Sequence, residues 1–222
     1  MGAVLEMSVI KTTLAMAALA GLVACGEIPA NGLLGRATQM VIGVDAAAPA
    51  RRPVTVPEEE LLANPGKYIR VNIRDLGVGD TFIVAGQNGT RTTWLGGLGT
   101  SVTLDGGVVV ATRGLPRDLM GANAQDTITA LRGGGGTATR VHDFPTDQDQ
   151  VQQITLTCDI APKGQEQVNR LGRSINATRF EEVCRGEGLA LTNVYWIDGS
   201  RRIVRSLQAV SPDAGYLQID VF

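Results

Sequence analysis

Apolar and polar residues alternate along most of the chain after residue 67, and turn signals interrupt this pattern about every ten residues. In Tyr68–Ile73 the alternation places Ile69, Val71 and Ile73 on one face. Tyr216–Phe222 alternates in the same way and predicts a second face that is in contact with water. A period of two residues is typical of strands with one buried face. The pattern predicts a mainly β fold, an antiparallel barrel-like or sandwich domain with few short helices.

Glycine-containing turns predict hairpins between these strands. Thr81–Gln87 and Thr90–Leu95 flank Asn88-Gly89, a pair that tolerates the positive φ angles of a two-residue turn. A loop of these two residues would place Ile83 opposite Trp94. The same reasoning predicts further strands over Ser101–Leu104, Val108–Arg113, Leu189–Ile197 and Ile203–Val210.

Three segments depart from the β pattern. Leu33–Val44 predicts a short helix, and Pro57–Leu62 predicts one helical turn with carboxylates near its start. Gly133–Gly136 predicts a flexible or tightly turned connector between two β-rich halves. The glycines alone do not establish a domain boundary.

The N-terminal residues predict a secretory signal peptide. Thr12–Val23 is apolar and uncharged, and it follows Lys11. Twelve residues at about 1.5 Å each do not cross a hydrocarbon core of about 30 Å, so a permanent membrane helix is disfavoured. Glu6 is unusual before such a core, and we expect translation to start at Met7.

The apolar core ends in Leu22-Val23-Ala24-Cys25, which resembles the bacterial lipobox. The resemblance implies that Cys25 is lipidated and that acyl chains such as palmitate hold the mature chain in a lipid bilayer. Two or more chains give stable anchoring. Gly26 follows where an aspartate would signal retention in the inner membrane, so the periplasmic face of the outer membrane is expected. The predicted organisation is a signal peptide over 1–24, a tether over 25–57 and a β domain over 58–222.

Cys158 and Cys184 remain after cleavage, and an even pair in an oxidising compartment predicts a disulfide. A hairpin that joins their two strands would centre near Leu171-Gly172 and place the cysteines opposite each other. Such a bond would stabilise the fold by about 3 kcal/mol. The alternative is a metal or catalytic cysteine, but His142 is the only histidine and no metal site or cofactor is predicted.

The net charge and the residues that could take part in catalysis limit the functions that the sequence predicts. The net charge is −2 and no basic run is present, so a nucleic-acid partner is not predicted. His142 is expected on the surface or in a turn. Asp118 is expected to lie where a strand ends and a short helix begins, as a loop carboxylate paired with Arg113 or Arg117. No catalytic constellation emerges, and the chain is predicted not to be an enzyme.

Several segments together resemble the YjbF/GfcB family of lipoproteins. They are Asn88–Trp94, Val102–Leu115 with Asp118–Met120, Glu182–Cys184, Asn193–Trp196, Ile203–Ser206, Gln208 and Gly215-Tyr216. The resemblance implies a non-enzymatic lipoprotein that is accessory to exopolysaccharide or capsule production, with the export and assembly proteins of the envelope as partners. It also implies a largely antiparallel, barrel-like β domain.

Two other hypotheses compete with this one. A glycan-binding module would use the aromatic rings of Trp94, Tyr195 and Trp196, with Trp94, Trp196 and Asp118 as candidate glycan or partner contacts. Tyr195 and Trp196 are neighbours on a strand and point to opposite faces, so core packing is expected for them. The third hypothesis is an enzyme that acts on glycan through carboxylates such as Asp118.

Overall fold

Twelve strands form one continuous antiparallel sheet in the computed structural model, which describes residues 51–186 and 188–222. The strands are β1 (Tyr68–Ile73), β2 (Val78–Asn88), β3 (Arg91–Leu95), β4 (Ser101–Asp105), β5 (Val108–Arg113), β6 (Gly121–Asn123), β7 (Gly136–Pro145), β8 (Val151–Arg170), β9 (Arg173–Gly186), β10 (Leu189–Asp198), β11 (Ile203–Ser211) and β12 (Gly215–Val221). The helices are α1 (Glu58–Ala63) and α2 (Gln125–Gly133), with a 3-10 turn at Arg74–Leu76. The predicted fold class is confirmed.

Several expectations concern residues outside these ranges. The signal peptide over 1–24, the lipidated Cys25, most of the 25–57 tether and the helix over Leu33–Val44 lie outside the described residues. Among the residues that are described, no helix has the length and apolar composition needed to cross a bilayer.

The sheet curls into a nearly closed barrel. Its strand order is β5-β4-β3-β2-β1-β12-β11-β10-β9-β8-β7-β6, so β5 and β6 are the two edges. The loop between these strands joins the edges, because the Thr112 N–H donates to the Leu119 carbonyl at 2.9 Å and the Met120 N–H donates to the Asp143 carbonyl at 2.9 Å. Closure covers strand edges that would otherwise pair with other chains.

Every second side chain along each strand points into the interior of the barrel. Ile69, Val71 and Ile73 are all buried, as predicted for β1, and Leu217 and Ile219 of β12 are buried beside them. These side chains belong to one hydrophobic core that draws on nearly every strand.

The opposite face of β12 differs from the prediction. Asp220 was expected to be in contact with water, but its exposed fraction is 5%. The neighbouring strand β11 carries Arg205, whose Nε donates to Asp220 Oδ1 at 2.6 Å and covers the carboxylate.

The first predicted hairpin exists, but its register was predicted wrongly. Asn88 pairs with Arg91, so the turn residues are Gly89 and Thr90. A β-bulge then shifts the pairing, and Trp94 lies opposite Val84 instead of Ile83. An extra residue in one strand of a hairpin leaves no trace in an alternating pattern as short as this one.

Helix α2 was not predicted, and it changes the role of the glycine run. Ile128 and Leu131 are buried on the core side of this helix. Gly134 follows in the left-handed region at φ 91°, and its N–H bonds the carbonyls of Ala130 and Leu131. The glycines therefore end a helix and lead into β7, and the sheet continues without interruption through both β-rich halves. Helix α1 forms where one helical turn was predicted.

Candidate functional site

The two cysteines of the β domain are disulfide-bonded, as predicted. The β8–β9 hairpin turns at Leu171 and Gly172, and the cysteines are direct cross-strand partners with their Cα atoms 4.0 Å apart. Cys158 and Cys184 are both fully buried on the interior face of the barrel. The bond fastens the open end of this hairpin, one residue pair from where the β8–β9 pairing ends and far from the turn.

The candidate aromatic contacts lie in different places. Trp94 is buried, with an exposed fraction of 6%, and its indole lines a pocket at one end of the barrel. Tyr195 is fully buried in the interior. Trp196 lies on the opposite face of β10, packs on the small cluster around Val168, and donates from Nε1 to Glu166 at 2.7 Å. The three rings do not form a common platform.

Asp118 holds the loop that closes the barrel. Its carboxylate accepts hydrogen bonds from the Thr112 hydroxyl at 2.9 Å, the Gly114 N–H at 2.8 Å and the Leu115 N–H at 3.1 Å. The expected pairing with Arg113 or Arg117 is therefore wrong, and no helix begins at Asp118. The carboxylate binds the backbone N–H groups of the loop because these groups have no neighbouring strand to donate to.

His142 is fully buried on β7, which contradicts its expected place on the surface or in a turn. It shares the interior face with Arg140 and Phe144, and its ring meets the Phe144 ring edge-on at 5.8 Å between centroids. The strand continues through this segment, so parity decides which side chains point inward. Neither ring nitrogen has a hydrogen-bond partner among the described residues.

A buried polar cluster occupies the barrel interior beside His142. Its centre is the ion pair between Arg140 Nη1 and Glu182 Oε2 at 2.9 Å. The remaining donors to Glu182 are the Asn193 amide at 2.7 Å, the Tyr195 hydroxyl at 2.8 Å and the Thr127 hydroxyl at 2.6 Å. These five side chains come from four elements, α2, β7, β9 and β10. None of the five is more than 1% exposed, so bulk water and large substrates do not reach them.

Gln208 extends the cluster to the edge of the sheet. Its Oε1 accepts from the Val109 N–H at 2.8 Å, and its Nε2 donates to the Gly107 carbonyl at 3.0 Å. These bonds join β11 to β5 and to the β4–β5 turn. Because every polar group lost from such a network leaves its partners unsatisfied, the cluster fixes one arrangement of the strands.

The cluster sets the charge states of its members. Burial alone would raise the pKa of Glu182, but the charge of Arg140 and the hydrogen bonds from Asn193, Thr127 and Tyr195 outweigh it, and the pKa is lowered. Burial, reinforced by the charge of Arg140 and opposed by Glu182, lowers the pKa of His142 to about 3. At neutral pH the interior therefore holds one compensated ion pair and a neutral imidazole.

The neighbouring sulfur atoms do not complete a metal site. Cys158 Sγ, Cys184 Sγ and a Glu182 oxygen lie within 4.8 Å of one another. The two sulfurs are bonded to each other, and metals bind thiolates. Glu182 is already held by Arg140.

A half-open pocket of about 350 Å³ lies at the barrel mouth, the end formed by the β2–β3, β4–β5 and β10–β11 turns. We call it the mouth pocket. Its lining residues are Thr90, Thr92, Trp94, Leu104, Gly106, Gly107, Val108, Ile128, Leu131, Arg132, Ile197, Arg201, Arg202, Ile203 and Val221. Barrel mouths are common positions for small-molecule sites.

Sequence reasoning missed the polar cluster and most of the mouth pocket. The sequence did contain a sign of the cluster. Residues two apart on a strand share a face, so Arg140 lies on the same face as Phe144, and Glu182 lies on the same face as Phe180 and Cys184. Nothing in the sequence brings the turn residues of distant hairpins together, since that requires the order of the strands. Glu181 and Glu182 are neighbours on β9 and face opposite ways, with Glu181 bound to Arg179.

Comparison with known proteins gives a family. The family model described as "Group 4 capsule polysaccharide lipoprotein gfcB, YjbF" matches residues 33–222 of this chain. No curated protein matches.

A solved structure has the same fold. It is the hypothetical lipoprotein YmcC from Escherichia coli K12, with 18% sequence identity and a TM-score of 0.60. The match covers 70% of this chain and 84% of that one. At this level of identity the likeness extends to the fold alone.

Proposed function

Because the family match covers residues 33–222, the chain belongs to the YjbF family of group 4 capsule polysaccharide lipoproteins, and from this premise we propose that it is a non-enzymatic accessory to capsule or exopolysaccharide production and export. It acts from the periplasmic face of the outer membrane, where acyl chains on Cys25 anchor it. Its partners are the export and assembly proteins of the envelope. The observation that carries the proposal is the family match.

The sealed interior supports a role without catalysis. A general acid or base must come within hydrogen-bond reach of its substrate. Glu182 and His142 are fully buried, and Glu182 is already bound by Arg140. Asp118, the carboxylate considered for a glycan-acting enzyme, accepts three hydrogen bonds from its own loop region. These groups serve the fold.

Gene deletion tests the accessory role. In a strain that lacks the gene, polymer at the cell surface should fall while other envelope functions, such as detergent resistance, stay at wild-type levels. Plasmid-borne wild-type protein should restore the polymer. Equal surface polymer with and without the gene would refute the proposal.

Asp118→Asn tests the enzymatic alternative in the same strain. This variant keeps the shape of the side chain and removes its charge. If the protein is an accessory factor, surface polymer in cells that carry the variant follows the amount of folded protein on an immunoblot. Loss of polymer at wild-type protein levels would favour an enzyme.

A further inference from the structure

The mouth pocket combines an apolar wall with a positively charged rim. Eight of its side chains are hydrocarbon or aromatic: Trp94, Leu104, Val108, Ile128, Leu131, Ile197, Ile203 and Val221. Thr90 and Thr92 supply the only hydroxyl groups among the described residues of the lining. Its volume of about 350 Å³ lies in the range of small-molecule sites.

Arginines from two elements stand at the rim. Arg132 ends α2, and Arg201 and Arg202 lie in the β10–β11 turn. Arg202 forms an ion pair with Asp198 at 3.1 Å, whereas Arg132 and Arg201 have no acidic partner among the described residues. The charges of Arg132 and Arg201 therefore give the rim a net positive charge.

More positive charge lies beside the rim. A second pocket shares Arg202, Ile203 and Val221 with the mouth pocket and adds Arg170 and Arg173 to the same end of the barrel. A group with negative charge is attracted to this end at long range.

From this combination we infer that the mouth pocket binds an anionic amphiphile, a molecule with one aliphatic chain and a phosphate or carboxylate head. The chain lies against the apolar wall, with Ile128 and Ile203 on either side of the Gly106-Gly107 turn. The head lies at Arg132 and Arg201.

The lining favours an aliphatic chain over a sugar. Each sugar hydroxyl that leaves water needs a hydrogen-bond partner, and an unpartnered hydroxyl opposes binding. The rim arginines can donate only at the edge of the pocket, and along the apolar wall the described lining offers two threonines as polar side chains and Trp94 as one aromatic ring, too few partners for a buried sugar ring. A chain of methylenes requires no partners, and each methylene that becomes buried tightens binding about fourfold.

Quenching of Trp94 fluorescence measures this binding directly. The full chain carrying Trp196→Phe has Trp94 as its only tryptophan, and it is reconstituted in nanodiscs of zwitterionic phosphatidylcholine. The probe is undecanoate with a terminal bromine atom, because bromine quenches an indole that it contacts. Undecanol with the same bromine is the neutral control. Dodecyl phosphate without bromine is the competitor that distinguishes a phosphate head from a carboxylate head.

Binding should be saturable and should depend on both parts of the pocket. Arg132→Gln with Arg201→Gln should weaken undecanoate binding about fivefold, since the two charges are exposed. Arg185→Gln is the matched control, an exposed arginine outside the pocket, and should leave binding unchanged. Thr92→Phe fills the pocket and should abolish saturable quenching.

Three results would overturn the inference. The first is a lack of saturable quenching. The second is equal affinity for the brominated acid and the brominated alcohol, with no effect of the two arginine substitutions. The third is displacement of the probe by oligogalacturonate but not by dodecyl phosphate. The last result would assign the pocket to an acidic glycan. The inference does not rest on the proposed function, because gene deletion tests polymer production whether or not the pocket binds this ligand.

Discussion

Lowering the pH should destabilise the barrel through His142. The pKa of this side chain is about 3 in the folded protein and about 6.5 in the unfolded chain, so between these values the unfolded state binds one more proton. The stability that depends on neutral His142 is therefore fully present above about pH 6.5 and is lost as the pH falls toward 3. Each pH unit within this window lowers the free energy of unfolding by about 1.4 kcal/mol.

At about pH 5 the loss from His142 alone amounts to about 2 kcal/mol, because this pH lies about 1.5 units below the unfolded pKa. His142→Phe removes the titrating group and keeps an aromatic ring beside Phe144. The substitution breaks no hydrogen bond to a described residue. His142 is also the only histidine, so the variant has no imidazole left to protonate.

Urea unfolding of the purified protein, followed by tryptophan fluorescence at about pH 8 and pH 5, measures the effect. The wild-type protein should lose about 2 kcal/mol more than His142→Phe between the two pH values. Carboxylates contribute equally to both proteins and cancel in the difference. If both proteins lose the same stability, His142 is not a neutral buried group, and the description of the interior is wrong.

Three further experiments with substituted proteins test the contacts that hold the barrel. Arg140→Met should cost about 3–5 kcal/mol by leaving Glu182 buried and unpaired, and adding Glu182→Gln should restore part of that loss in chemical unfolding, because it removes the unpaired charge and keeps an acceptor oxygen for the donors around it. Cys158→Ala with Cys184→Ala should lower stability by about 3 kcal/mol, and a reductant should then have no further effect. Asp118→Ala should cost about 1–3 kcal/mol and speed proteolysis in the loop that joins β5 to β6, and an unchanged cleavage rate would contradict its role there.

Much of the β structure follows from local patterns. The alternation in β1 and the turn at Leu171-Gly172 each depend on a few adjacent residues, and the disulfide follows from that turn. Features that depend on distant strands were predicted less well. The sequence marks His142 as part of an alternating segment, but only the order of strands around β7 decides that its face is buried.

The polar cluster illustrates the same limit. Arg140 and Glu182 are 42 residues apart in the chain, and no pattern of nearby residues indicates that they form an ion pair. Strand β8 lies between their two strands in the sheet, and a charged residue at a core position contradicts the usual pattern of burial. Such positions are informative once strand parity is known, because a buried charge requires a partner.

The most direct test of the account is the amount of polysaccharide at the cell surface when the anchor is removed. The deletion strain is complemented with the wild-type gene or with Cys25→Ala at matched protein levels, and surface polymer is quantified per cell. The account predicts that the wild-type gene restores the polymer and that Cys25→Ala does not. Full restoration by Cys25→Ala would contradict it.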